Sequence, residues 1–242
     1  MIVIRSRRSL FLCFLVLATI IIPARGIVAA ETVFAMMPNR YTLDGWKLRG
    51  PKFMSKWVLG AAMIDPENSK KLKVVESDAS NIALVNTKKG GVDIYTEQEF
   101  GDCIVEVEVM IPAGSNSGIY LMGQYEIQII DSYGKKINKD SAMGSIFGKA
   151  APKINAAKKP GEWQKFLIEF KAPHFENRIR IMEAEFVKVE LNGEVIHENV
   201  KIENGPTSGA LKNGEFAKGP LMLQGGLGAV AYRNIRISIP RQ

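Results

Sequence analysis

The sequence predicts an all-β fold, an antiparallel β-sandwich, on three observations. Short segments alternate apolar and polar residues with a period of two, as in Val105, Val107 and Val109 against Glu106 and Glu108. Turn-forming pairs punctuate these segments, among them Gly90-Gly91, Pro160-Gly161 and Asn192-Gly193. No stretch keeps a long, clean helical period, and many short strands divided by such turns read as a sandwich.

Taken in order, the chain opens on a leader. Arg5, Arg7 and Arg8 precede an apolar run that ends at Ile22 and is interrupted by Thr19. Val28-Ala29-Ala30 then places small residues before Glu31, the pattern of a cleaved signal peptide over 1–30. The run is short for a membrane span. Cys13 follows Leu10-Phe11-Leu12 rather than a small residue, so no lipid anchor is expected. The mature chain, 31–242, is expected to be a single domain, secreted or periplasmic, without stable membrane insertion. Losing the leader removes four arginines and no acid, so the net charge falls from +7 to +3.

Cys103 is then the one remaining cysteine, which rules out an intrachain disulfide and a zinc ribbon. With no histidine near it in sequence, it reads as a small buried side chain rather than a nucleophile. Residues 41–46 look like an entry segment. Strands are predicted over 57–64, 72–76, 81–85 and 92–96, then in direct succession over 104–111, 117–122 and 125–131. Seven lysines and one acid lie between Lys135 and Lys159, with Phe147 as the only aromatic and no arginine. Nucleic-acid surfaces interleave aromatics or arginines with their lysines, so this segment reads as a solvated loop and nucleic acid is not an expected partner. Further strands are predicted over 163–171, over 186–191 and 195–197 around the Asn192-Gly193 hairpin turn, and over 220–224 and 229–239.

The three successive strands hold the candidate chemistry. In the third, Tyr125, Ile127 and Ile129 share one face and Glu126 and Gln128 the other. One polar face would thus collect Glu106, Glu108, Glu126, Gln128 and Asp131. Adjacent strands lie about 4.8 Å apart, so carboxylates on them could stand roughly 5–10 Å apart, the range of the acid pairs that cleave glycosides. A solvated face with lysine partners is the alternative. Asn116-Ser117-Gly118 forms a turn at a strand entrance that could offer an amide and a hydroxyl to a sugar ring. Trp163 could stack on a sugar or open a strand into the core. His174 and His197 have no second ligand at metal spacing, so packing or surface roles are expected and no metal site is assigned.

These residues belong to an ordered series of markers. It runs through Phe100-Gly101-Asp102, Glu108 before Pro112, Asn116-Ser117-Gly118-Ile119-Tyr120-Leu121, and Tyr125-Glu126-Ile127-Gln128 to Asp131. It continues with Gly144 to Gly148, Lys159-Pro160-Gly161-Glu162-Trp163, Asn192-Gly193, Gly219-Pro220-Leu221 with Leu223-Gln224, and Arg233-Asn234-Ile235. In this series the chain resembles the secreted 3-keto-disaccharide hydrolase domain family, from about residue 41 to 240. The resemblance implies a jelly-roll sandwich of the concanavalin A-like lectin/glucanase type with its ligand on a concave sheet. It also implies an oligosaccharide or glycoside substrate carrying a ketone at C3. That ketone acidifies the proton on C2, so a base can drive elimination of the C1 substituent before water adds back. On this reading Glu126 or Glu108 is the base, Gln128 and Asn116 hold the enolate oxygen, and Asp131 orients or supplies the acid. Tyr125, Trp163 and Gln224 complete the candidate substrate contacts. No cofactor is implied; a divalent cation would suit the enolate, but no ligand set for one assembles from the sequence. Two positions depart from the family pattern. Met122 stands where many relatives have Arg or Gln, and Gly225 follows the Leu-Gln pair where many have histidine. A non-catalytic carbohydrate-binding module is therefore the alternative reading.

Overall fold

Sixteen strands, numbered in chain order, run through the computed structural model, which describes residues 30–35, 42–76, 81–138 and 140–240. The expected leader and its Cys13 lie outside these residues, apart from Ala30. The larger sheet has nine strands. Its order is β14 (Glu194–Lys201), β13 (Glu185–Leu191), β10 (Gln164–Lys171), β7 (Cys103–Met110), β16 (Val230–Pro240), β5 (Ala83–Asn86), β3 (Trp57–Asp65) and β4 (Asn68–Val75). The ninth, β1 (Ala30–Ala35), lies along β16. The smaller sheet has five strands: β2 (Trp46–Arg49), β6 (Asp93–Phe100), β15 (Gly219–Leu223), β8 (Asn116–Leu121) and β9 (Tyr125–Ile130). The strand pairs of both sheets are antiparallel, as the alternation predicts.

The core lies between the sheets. Val105, Val107 and Val109 of β7 and Phe166, Ile168 and Phe170 of β10 join one buried cluster with Ile119 and Leu121 of β8, Ile127 and Ile129 of β9, and Leu221 and Leu223 of β15. Burying each such side chain contributes about 1.5–3 kcal/mol. Cys103 sits in the same cluster, and burial pushes its thiol up to about 12, which keeps it protonated and inert.

The expected succession of three neighbouring strands is broken between the first and second. β7 lies in the larger sheet, whereas β8 and β9 lie in the smaller. Pro112 has no N–H to continue the ladder, and Gly114 adopts φ +71°, so the chain leaves one sheet and turns into the other. Asp131 Oδ2 accepts from the Gly114 amide at 2.9 Å and fixes this turn. Since the core separates the two sheets, Glu106 and Glu108 point outward from one side of the sandwich and Glu126 and Gln128 from the other.

The segment read as a solvated loop is only partly that. Ala142 to Ile146 are buried, and the segment pairs along β9: Gln128 donates to Ser145 O at 2.8 Å, Gly144 to Gln128 O at 2.8 Å, and Phe147 to Glu126 O at 3.1 Å. The hairpin of β11 (His174–Glu176) and β12 (Ile179–Met182) is an addition to the predicted elements. Its turn uses Asn177 and Arg178 at φ 50° and 67°, without the glycine that usually signals such a turn.

Candidate functional site

Alternation along β8 and β9 turns Asn116, Tyr120, Glu126 and Gln128 away from the core, onto the outer face of the smaller sheet, while Ser117 faces inward and meets the Tyr232 hydroxyl at 2.8 Å. Cross-strand register then lines them up. Tyr120 pairs with Glu126 and with Met222, and Gly118 pairs with Gln128. Gln224 joins the Gly118 row, its amide donating to Gly118 O at 2.9 Å. Two segments from outside the sheet cover this face. One is the run of 144–147 along β9. The other is the 203–218 loop, where Thr207 Oγ1 accepts the Glu126 amide at 2.9 Å and donates to Gln124 O at 3.0 Å. Arg49 ties the loop down by donating to Gly209 O at 2.8 Å and Ala210 O at 2.9 Å.

Between these covers lies a cavity of about 240 Å3, lined by Asn116, Tyr120, Glu126, Gln128, Phe147, Ser208, Gly209, Gln224 and Leu227. Ligand pockets commonly run from roughly 300 to 1,000 Å3, so this one suits a single small ring. Gly118 makes room for the central acid, because a Cβ there would collide with Glu126 Oε1. Gly209 does the same for Tyr120, whose hydroxyl would stand 2.6 Å from an added Cβ.

Glu126 is 3% exposed. Burial raises its carboxyl to about 7; a hydrogen bond from the Tyr120 hydroxyl opposes the rise, and the negative charge of Asp93 adds to it. The carboxylate is therefore divided between its two protonation states near neutrality, the range in which a general base works best. Two amide oxygens of the lining, Asn116 Oδ1 and Gln224 Oε1, are buried without a hydrogen-bond partner. Buried acceptors are rarely left so, and here they are available to a ligand's donors.

Four of the site residues predicted from sequence thus meet in one cavity: Glu126, Gln128, Asn116 and Gln224. The other four do not. Glu108 faces outward on the larger sheet, where Arg233 Nε donates to it at 2.7 Å and Asn234 Nδ2 at 3.1 Å. Although partial burial pushes the other way, these bonds and the charges of Arg233 and Lys165 hold its carboxyl below the usual range. Trp163 lies beside it, its ring 4.0 Å from the Arg233 guanidinium. Its face is taken by a cation, and it stands on the wrong sheet to stack on a sugar in the cavity. Tyr125 is turned into the core by the same alternation that turns Glu126 out, and its hydroxyl donates to Glu215 at 2.7 Å. Asp131 fixes the Gly114 turn, 3.8 Å from Lys135, and does not line the cavity.

Sequence reasoning missed Tyr120, Phe147, Ser208, Gly209 and Leu227. Tyr120 was legible, since it shares parity with Asn116 and Gly118 on β8. The remaining four arrive on loops, which carry no period to read. Among the described residues, no three His, Cys, Asp or Glu side chains come together as a metal cage. His197 is buried and packs under the covering segment, its Nε2 2.8 Å from Gly144 O; burial holds its pKa down.

Comparison with known proteins extends the geometry. The model of the 3-keto-alpha-glucoside-1,2-lyase-like domain matches residues 35–238. No curated protein matches the sequence significantly. Among solved structures, the fold resembles a candidate glycosyl hydrolase from Parabacteroides distasonis ATCC 8503 at 23% identity and TM-score 0.62, covering 86% of this chain and 84% of that one. A second candidate glycosyl hydrolase from the same organism shows 18% identity and TM-score 0.59, over 87% of this chain and 95% of the other. At these identities the likeness establishes the sandwich fold.

Proposed function

The chain belongs to the family of 3-keto-alpha-glucoside-1,2-lyase-like domains, and we propose that it cleaves glycosidic bonds of 3-keto sugars by elimination followed by hydration. One observation carries the reading: a single buried carboxyl, poised near neutrality, in a one-ring cavity walled by amides. Ordinary glycosidases set two carboxyls about 5–9.5 Å apart across the scissile bond. Here the second acid nearest in effect, Asp93, is not in the lining. Arg49 lies 3.4 Å from it, and it accepts from the Gly225 amide at 3.0 Å. Elimination next to a ketone asks for one base only.

In this mechanism Glu126 removes the C2 proton of the bound ring. The electron pair moves into the C3 carbonyl, and the enolate oxygen is held by the N–H groups of the Gln128 and Asn116 amides. Collapse of the enolate expels the C1 substituent and leaves a C1=C2 double bond. Water then adds, its hydroxyl to C1 and a proton to C2, giving the free 3-keto sugar. Phe147 and Leu227 provide apolar contacts at the cavity wall. With the leader over 1–30, the chain would work on glycosides outside the cytoplasm.

Purified protein is expected to release free sugar from a 3-keto disaccharide and not from its unoxidised parent. Glu126→Gln should keep binding and lose turnover. Binding without turnover in the wild type would replace this reading with that of a carbohydrate-binding module.

A further inference from the structure

The mechanism above leaves the departing C1 oxygen without a proton donor. Asp131 is held at the Gly114 turn, and Glu108 is on the opposite side of the sandwich. Within the cavity Tyr120 carries the most acidic hydroxyl of the lining, a phenol beside the alcohol of Ser208. It stands directly across the strand pair from Glu126, where Cβ atoms lie about 4.5–5.5 Å apart. The ring and the carboxylate both crowd the space above Gly118, where an added Cβ would stand 3.0 Å from the Tyr120 ring and would collide with Glu126 Oε1, so the hydroxyl lies within reach of the carboxylate. Gln224 Nε2 donates to that same hydroxyl at 3.3 Å, and the hydroxyl in turn reaches Ser208 O at 3.3 Å, a long bond that the phenolic proton can leave for a stronger acceptor. Gly209 brings backbone against the ring, where an added Cβ would stand 2.6 Å from the hydroxyl.

We propose that Tyr120 is the catalytic acid of this site and that Tyr120 and Glu126 form a two-member proton relay. The inference rests on the elimination reading. Glu126 takes the C2 proton and becomes a carboxylic acid. As the C1–O bond breaks with its electron pair on oxygen, Tyr120 gives its proton to that oxygen and becomes a phenolate. The proton on Glu126 then crosses the hydrogen bond to the phenolate. Both side chains return to their starting states, and the C2 proton has in effect been exchanged for the one on the departing alcohol. No co-reactant is consumed. Burial, then the adjoining Glu126 charge, raises the Tyr120 pKa well above its ordinary value. The phenol therefore enters each cycle protonated, and its phenolate is a strong enough base to recover the proton at once.

The test compares leaving groups in Tyr120→Phe. A 3-keto disaccharide leaves as an alkoxide and needs the acid; 4-nitrophenyl 3-keto-glucoside leaves as a stable phenolate and does not. Turnover of the disaccharide should fall by about 10²–10⁴, and that of the nitrophenyl glycoside by less than about tenfold. Equal losses on the two substrates, or no loss on either, would overturn the relay. Exchange of the C2 hydrogen in D2O, above the enzyme-free rate, separates this result from failure of the underlying reading. Exchange needs Glu126 alone, so it should persist in Tyr120→Phe and vanish in Glu126→Gln. Exchange surviving in Glu126→Gln would remove both the base and the relay.

Discussion

Two polar faces of this molecule look alike as sequence and behave oppositely as structure. On β7, Glu106 and Glu108 alternate with valines; on β9, Glu126 and Gln128 alternate with Tyr125 and isoleucines. The β7 face meets solvent and cations: Lys165 lies 3.8 Å from Glu106, and Arg233 bonds Glu108. The β9 face is roofed by 144–147 and the 203–218 loop, and its carboxyl has no cation among the cavity lining. One acid is therefore pushed toward the charged form and the other toward the neutral one. Alternation decides which side chains leave the core. Whether a face becomes a solvated surface or a site depends on what later segments lay over it.

The sharpest contrast is kinetic. Glu126→Gln should lower turnover by about 10²–10⁴, while Glu108→Gln leaves it within about twofold; comparable losses in steady-state assays would erase the distinction between the faces. Gly118→Ala should come next. Its Cβ would take the space of the Glu126 carboxylate, costing about 1–3 kcal/mol of stability by thermal or denaturant unfolding, together with activity. An alanine variant with wild-type stability and rate would show that the glycine is not making room for the acid.

The pH dependences should have opposite signs. As a base, Glu126 must be ionised, so kcat/KM should rise with pH through about 7. Its folded pKa exceeds the unfolded value of about 4.5, so proton binding favours the fold; that contribution is full below about pH 4.5 and lost as pH passes 7. Glu126→Gln escapes the loss, so its melting temperature should gain on the wild type from pH 5 to pH 8. Glu108, with its pKa lowered, stabilises the fold above the ordinary carboxylate range and loses that effect in acid. The smallest effect follows. Glu108→Gln should cost at most about 1 kcal/mol at pH 7, fading toward acid pH, because the pair is partly solvated. A flat melting difference for either variant would contradict its assigned environment.

Much of the fold was legible because period-two alternation and turn dipeptides are local signals. Val105 to Val109, Phe166 to Phe170 and the Asn192-Gly193 hairpin all sit where the pattern puts them. Four of the nine cavity residues were legible as well: Glu126 and Gln128 by parity, with Asn116 and Gln224 marked by the family series. What misled was sheet membership. Nothing in Pro112-Ala113-Gly114 states whether the chain reverses within a sheet or crosses to the other, and that choice alone removed Glu108 from the site. Parity sends Tyr125 inward with Ile127 and Ile129, and a cation covers Trp163, so neither ring reaches the cavity.

The pairing of 144–147 along β9 has one more effect. β9 is the last strand of its sheet, and an open edge of that kind can enlist a strand from another molecule. Here the outward N–H and C=O of Gln128 and the C=O of Glu126 are already engaged by 144–147, and the Glu126 N–H by Thr207. The strand bearing the proposed base is thereby closed to templated pairing, and the seal that shapes the pocket also guards the edge of its sheet.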